Sequence, residues 1–183
     1  MDDITIILPA KNEAENLQVI LKDIIKYIIK SKNFNKVETI VVNDFSNDNT
    51  INVVNKFFKE IENLILINLN KNIGKAYSID IALDYSSGDT IIVMDADLQY
   101  ETEDILLLYN EMNNKIDMVN GKRGVRKDSA LINSFSNLYY FFLSKFFSIN
   151  KYDYFSGIKI FKKSIYKKME YRGLIRFLIF YCL

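Results

Sequence analysis

The segment DTIIVMDADLQY, residues 89–100, places the apolar run Ile91, Ile92, Val93 and Met94 directly before two aspartates one residue apart. A short run rich in β-branched residues, bounded by polar ones, reads as a buried strand. In extended chain, residues i and i+2 project to the same side, so Asp95 and Asp97 can aim their oxygens at one point. Two carboxylates held that close repel each other unless one takes up a proton or a cation sits between them. A hard divalent cation such as Mg²⁺ prefers oxygen ligands and often uses only one or two protein carboxylates, with substrate phosphates supplying others. Taken alone, the pair is as well explained by a solvated turn after a strand, so the surrounding chain has to decide.

Upstream, strand and helix patterns alternate. ITIILPA (residues 4–10) is a β-branched run closed by the only proline, and VETIVVND (37–44) and LILINL (64–69) have the same character. Between them, residues 12–30 carry Leu17, Ile20, Leu21, Ile24 and Ile28 at helical spacing, with Asn12 in the capping position. NTINVVNKFFKEI (49–61), opened by Asn49 or Thr50, and GKAYSIDIALDYS (74–86) give two further helices. Four such alternations predict an α/β chain: a doubly wound, mostly parallel sheet with helices on both faces. Ligands of such sheets bind beyond the carboxyl ends of the strands. Lys11, Asn12 and Glu13 follow the first strand, Asn43 and Asp44 the second, and Asp95 and Asp97 the fourth. Loops far apart in sequence thus converge on one rim, which favours the metal-binding reading of Asp95 and Asp97. MVNG (118–121) predicts a fifth strand ending on that rim and FSGIKIF (155–161) a late one. No repeat, linker or domain boundary interrupts the chain, so 1–183 reads as a single domain.

Composition bounds the function. The chain has 183 residues, 49% hydrophobic and 26% charged, a globular balance that suffices for one core. A formal charge of +1 supplies no field for nucleic acid. With no histidine, a histidine base, a histidine triad and most zinc sites are excluded, and the single Cys182 excludes an internal disulfide and fits a reducing compartment. The N-terminus is acidic where a signal peptide is basic, and no stretch reaches about 18 uncharged apolar residues. NIGKA (72–76) lacks Walker spacing; Gly74 and Lys75 suit either a close approach to phosphate or a plain helix start.

Six segments in this order, ILPAKNEAENL, VVNDFSNDNT, NKNIGKAYSIDIAL, VMDADLQY, NGKRGVRKDS and DYFSGIKIF, resemble the inverting nucleotide-sugar glycosyltransferases of family 2, which have the GT-A (Rossmann-like) fold. DADLQ (95–99) and RKDS (126–129) resemble more closely the branch that glycosylates polyprenyl phosphates, the dolichyl-phosphate mannose synthase and undecaprenyl-phosphate glycosyltransferase group. The resemblance implies that Asp44 hydrogen-bonds the nucleotide base, with Asn43 standing where many relatives carry a first aspartate. It places Pro9 and Glu13 beside the nucleotide. Asp95 and Asp97 become the pair that binds Mg²⁺ or Mn²⁺ against the diphosphate, with Gln99 on the acceptor side. Residues 1–98 are then the nucleotide-sugar half and 99–183 the acceptor half.

A phosphate monoester acceptor is already anionic near neutrality, its second ionisation lying near pH 6, and so needs no general base. It does need cations, and KRGVRK (122–127) offers Lys122, Arg123, Arg126 and Lys127, arginine's planar fork being well matched to phosphate. Asp153 matches an acidic position near the acceptor or orients Arg123. In the segment YRGLIRFLI (171–179), Arg176 and Phe177 match the polyprenyl branch, whereas Gly173 and Ile175 replace an acidic residue and a histidine. Relatives also continue past this point, so the chain is either a fragment or a short form. On a helix over 135–149, Phe135, Leu138, Tyr139, Phe142, Phe146 and Ile149 form one stripe, with Phe141 and Phe147 as surplus rings that suit a membrane interface.

The expected activity is inverting transfer of a hexose from a UDP- or GDP-linked sugar to a polyprenyl phosphate, in cell-wall biogenesis, with peripheral attachment at the cytoplasmic face of a membrane. Two rivals stay open: a family 2 enzyme acting on a sugar hydroxyl of a polysaccharide, and an inactive nucleotide-sugar-binding relative. Oligomeric state is open too, with a homo-oligomer compatible.

Overall fold

In the computed structural model, residues 2–121 and 156–167 are described. Their strands form one six-stranded sheet in the order β3-β2-β1-β4-β6-β5. The strands are β1 (Asp3–Ala10), β2 (Lys36–Asn43), β3 (Leu64–Asn68), β4 (Thr90–Met94), β5 (Met118–Asn120) and β6 (Ile158–Lys162). The first four are parallel, and β6 runs antiparallel to both β4 and β5. Hence β5 points the same way as β4, and its end returns to the rim where β1–β4 end, as MVNG predicts.

Side-chain alternation sorts the strands onto two cores. Ile4, Ile6, Leu8 and Ala10 of β1, with Ile92 and Met94 of β4, face α1 (Ala14–Asp23), α2 (Thr50–Lys56) and α4 (Asp104–Asn110). Ile7, Ile40, Val42, Ile91 and Val93 face Ile79, Ala82 and Leu83 of α3 (Lys75–Tyr85) and Tyr166 of α5 (Lys163–Lys167). Strands buried on both faces explain the near-continuous apolar runs of the sequence. Ile4, Ile6, Ile7 and Leu8 have no exposed surface, and burial of each such side chain stabilises by about 1.5–3 kcal/mol.

The helices refine the expectations. Leu17, Ile20, Leu21, Ile24 and Ile28 are all buried, but only Ala14–Asp23 is α-helical; Ile24–Ile29 continue as a π-helical turn, where the Lys30 N–H donates to Ile25 O at 3.1 Å. The second helix tightens into a 3₁₀ turn at Phe57–Lys59. Asn12 does not cap α1: Glu13 holds the cap position, and Asn12 is left-handed with φ 58°. Its side chain is engaged by the neighbouring loop instead. Helix α4 and the antiparallel insertion of β6 had no counterpart in the sequence reading.

Candidate functional site

The chain runs β1, β2, β3 outward to one sheet edge and then crosses back through α3 to set β4 on the other side of β1. Loops leaving β1 and β4 therefore part from each other, and this switch point opens a crevice at the carboxyl rim. A cleft of about 330 Å³ lies there. Pro9, Glu13, Asp44, Lys75, Asp95 and Asp97 line it together with Lys11, Asn72, Gly74 and Ser78. Gln99 is exposed and outside the lining; its N–H donates to Asp97 Oδ1 at 3.2 Å. Lys122, Arg123, Arg126, Lys127, Asp153, Arg176 and the 135–149 segment lie outside the described residues.

Among the described residues, each loop that follows β1–β4 carries a left-handed residue: Asn12 (φ 58°), Phe45 (59°), Gly74 (86°) and Leu98 (57°). For a bulky residue this conformation costs on the order of 1–3 kcal/mol and persists only where surrounding contacts impose it. Phe45 and Leu98 directly follow Asp44 and Asp97, and both are about half exposed. The turns that aim these carboxylates are thus held against local preference.

The contacts that impose them run between loops. Asn12 N–H donates to Ser46 Oγ at 2.9 Å, and Asn47 N–H donates to Asn12 Oδ1 at 2.8 Å. Glu13 N–H reaches Thr50 Oγ1 at 3.2 Å and Ala14 N–H reaches Asp48 Oδ2 at 3.1 Å, so the free N–H groups of α1 are met by the next loop. Burial pushes the Asp48 carboxyl up, but hydrogen bonds from the Thr50 hydroxyl and the Ala14 and Thr50 N–H groups outweigh it and hold the group below the usual carboxylate range. Glu13 Oε2 accepts from Asn16 Nδ2 at 2.6 Å.

Asp44 is 5% exposed and binds backbone on the far side of the cleft: Oδ1 accepts the Ile73 N–H at 2.7 Å and Oδ2 the Gly74 N–H at 2.8 Å. Asn43, also buried, spans to Asn68 Oδ1 at 2.7 Å and accepts the Ser46 N–H at 3.2 Å. The amide at 43 thus both donates and accepts, which a second aspartate cannot do. Asp44 keeps lone pairs beyond those two bonds and still faces the cleft.

Asp95 sits against the start of β6. Its N–H donates to Gly157 O at 2.8 Å, and a Cβ at Gly157 would stand 2.7 Å from Asp95 Oδ2. Lys75 Nζ lies 2.5 Å from Asp95 Oδ1, an ion-pair distance, yet no hydrogen bond is directed at that buried oxygen. The contact is therefore an ion pair without hydrogen-bond geometry. Asp97 is exposed at the mouth. Among the described residues no group of three or more acidic, histidine or cysteine side chains gathers as a metal cage. Among the described residues, four carboxylates (Glu13, Asp44, Asp95, Asp97) against two ammonium groups (Lys11, Lys75) give the lining a formal excess of negative charge. A buried, undirected carboxylate oxygen beside a second aspartate is a donor set suited to one hard cation, with the remaining ligands coming from elsewhere.

Sequence reasoning nominated the cleft residues but missed what positions them: Ser46, Asp48, Thr50 and Gly157. The D-x-T spacing of Asp48 and Thr50 is a capping signal, but nothing local says that it serves the preceding helix.

The fold and this rim define a GT-A α/β domain. Residues 5–170 match the Glycosyl transferase family 2 model, and the chain belongs to that family. It is 33% identical over 138 residues to a dolichyl-phosphate beta-glucosyltransferase of Trichomonas vaginalis, covering 70% of this chain and 42% of the relative. It is 27% identical over 168 residues to an undecaprenyl-phosphate 4-deoxy-4-formamido-L-arabinose transferase of Photorhabdus laumondii, covering 91% and 51%. The chain thus spans about half the length of these curated relatives. A mannosyltransferase from Pyrobaculum calidifontis, solved with GDP-Man and Mn²⁺, shares the fold with a TM-score of 0.63 at 22% identity, over 92% of this chain and 47% of that one.

Proposed function

We propose that the chain is the catalytic domain of an inverting glycosyltransferase that moves a hexose from a UDP- or GDP-linked sugar to a polyprenyl phosphate at the cytoplasmic face of a membrane. The observation that carries this reading is the acid-rich cleft at the switch point, with Asp44, Asp95 and Asp97 in its lining. An anionic diphosphate enters an excess of carboxylates only with added positive charge. When bound to Asp95 and Asp97, Mg²⁺ or Mn²⁺ supplies that charge as the sugar–phosphate bond breaks. Asp44 accepts a hydrogen bond from the base, Glu13 and Pro9 bound the nucleotide, and Lys75 faces the phosphates. Residues 1–98 form the donor half and 99–183 the acceptor half.

On the acceptor side, Arg123, Arg126, Lys127 and Arg176 hold the lipid phosphate by charge-assisted hydrogen bonds, and Asp153 orients Arg123. The phosphate, already anionic, displaces the nucleotide in line and inverts the anomeric centre. The names of the curated relatives support a polyprenyl phosphate acceptor. No helix among the described residues is long and apolar enough to cross a membrane. The basic residues and surplus rings of 122–155 supply peripheral attachment to an anionic lipid surface.

The test supplies labelled UDP- and GDP-sugars with Mn²⁺ and undecaprenyl or dolichyl phosphate. Label should partition into a lipid fraction, and Arg123→Ala should raise the lipid phosphate requirement while sparing nucleotide binding. Label appearing only in water-soluble glycan would overturn the acceptor assignment.

A further inference from the structure

Lys75 is the first residue of α3, and its root is fixed. Asp44 grips the N–H groups of Ile73 and Gly74 just before it, and the Ser78 hydroxyl donates to Gly74 O at 3.1 Å. Its side chain is 40% exposed. The ammonium nevertheless rests 2.5 Å from Asp95 Oδ1, a buried oxygen to which no hydrogen bond is directed. The ammonium therefore covers that oxygen, while the other, Oδ2, lies beside Gly157, where an added Cβ would stand 2.7 Å from it.

A lysine ammonium is a compact charge on a flexible stem. While it sits on Asp95, a divalent cation approaching the same oxygen meets like charge as well as the carboxylate. A nucleoside diphosphate changes the balance, because it offers the ammonium a more negative partner within the same cleft.

We infer that Lys75 is a tethered counter-cation: it holds Asp95 while the cleft is empty, opposes entry of metal alone, and passes to the diphosphate when the nucleotide arrives. Metal and nucleotide are thereby coupled, each raising the affinity of the other by the same factor. This rests on the reading of the cleft as a metal and nucleotide-diphosphate site. It goes further by assigning order and coupling to one side chain.

The experiment is Mn²⁺ titration by calorimetry and by Mn²⁺ spin resonance, on wild type, Lys75→Met, Lys75→Arg and Lys75→Met/Asp95→Asn, with and without UDP or GDP. Without nucleotide, Lys75→Met should bind Mn²⁺ about tenfold or more tighter than wild type, Lys75→Arg should stay weak, and Asp95→Asn should cancel the gain. Nucleotide should raise wild-type Mn²⁺ affinity by a larger factor than that of Lys75→Met. Melting temperatures should barely change, since a partly exposed ion pair contributes little to stability. If Mn²⁺ binds through Asp95 but Lys75→Met binds it no tighter, the counter-cation role is wrong and the metal site stands. If no variant binds Mn²⁺ even with UDP or GDP, the reading of the cleft fails and takes this inference with it. A large fall in the melting temperature of Lys75→Met would show the lysine to be structural, which also overturns the inference.

Discussion

The carboxylate of Asp44 and the backbone of Gly74, thirty positions apart, are joined across the cleft by a 2.8 Å hydrogen bond from the Gly74 N–H to Asp44 Oδ2. A second bond, from the Ile73 N–H to Oδ1, makes the grip bidentate. The end of β2 thereby fixes the start of α3, so a residue assigned to nucleotide recognition also builds the wall it stands in.

Removing that grip should therefore cost stability as well as binding. Asp44→Ala leaves the Ile73 N–H without its acceptor, at about 1–3 kcal/mol, and the Gly74 N–H with only the longer bond to Asn72 Oδ1 at 3.2 Å. We expect a loss of about 2 kcal/mol in urea denaturation and faster amide exchange at Ile73 and Gly74. Asp44→Asn keeps one acceptor and should lose roughly half as much. Unchanged exchange at those two amides would remove the structural role.

Asp97 should behave in the opposite way. It is exposed, and its only hydrogen bond among those described, from the Gln99 N–H, can be kept by an amide oxygen. Asp97→Asn should leave the melting temperature within a degree or two, abolish sugar transfer and weaken Mn²⁺-dependent nucleotide binding. Calorimetry showing Mn²⁺-dependent binding unchanged would sink the metal assignment of this residue.

Two glycines separate function from packing. At Gly157 a Cβ would stand 2.7 Å from Asp95 Oδ2 and 3.1 Å from the Tyr100 ring, so Gly157→Ala must move Asp95. At Gly88 a Cβ would stand 2.6 Å from the Ile4 carbonyl carbon and 2.7 Å from Thr5 N, at the other end of the sheet. Both changes should destabilise by about 1–3 kcal/mol. Only Gly157→Ala should also weaken Mn²⁺-dependent nucleotide binding in the folded protein; equal binding by both variants would detach Gly157 from the site.

The pH dependence of stability should report Asp48. Its carboxyl is held below the ordinary range by hydrogen bonds from the Thr50 hydroxyl and the Ala14 and Thr50 N–H groups, against the opposing effect of burial. A depressed carboxyl binds its proton less readily folded than unfolded, so its stabilisation is fully present above the unfolded value near 3.9 and lost as pH falls through the folded one. Asp48→Asn keeps an acceptor but cannot titrate. Wild type should exceed it by about 1 kcal/mol or less above roughly pH 4, a small figure because the group is exposed and screened, and the gap should close on acidification. A gap that widens below pH 4 would reverse the sign and exclude this cause.

The parallel strands of the sheet and the acidic residues at its rim are legible in the chain alone. Runs such as Ile4–Leu8 and Ile91–Met94 are apolar on both faces, which local periodicity reports directly, and a parallel sheet then puts Glu13, Asp44, Asp95 and Asp97 at one end. Tertiary structure decided the rest. Capping rules assign Asn12 to α1, but the α1 N–H groups turn to Asp48 and Thr50, and Asn12 is drawn into a left-handed link with Ser46 and Asn47. The antiparallel entry of β6 beside β4 brings Gly157 against Asp95, sixty-odd positions away, and the return of α3 across the sheet lays Lys75 on the same carboxylate. Propensity and periodicity are properties of neighbouring residues. Which carboxylate meets which amide or ammonium across a cleft is fixed by strand order and by how closely two backbones can approach, and no local pattern encodes either.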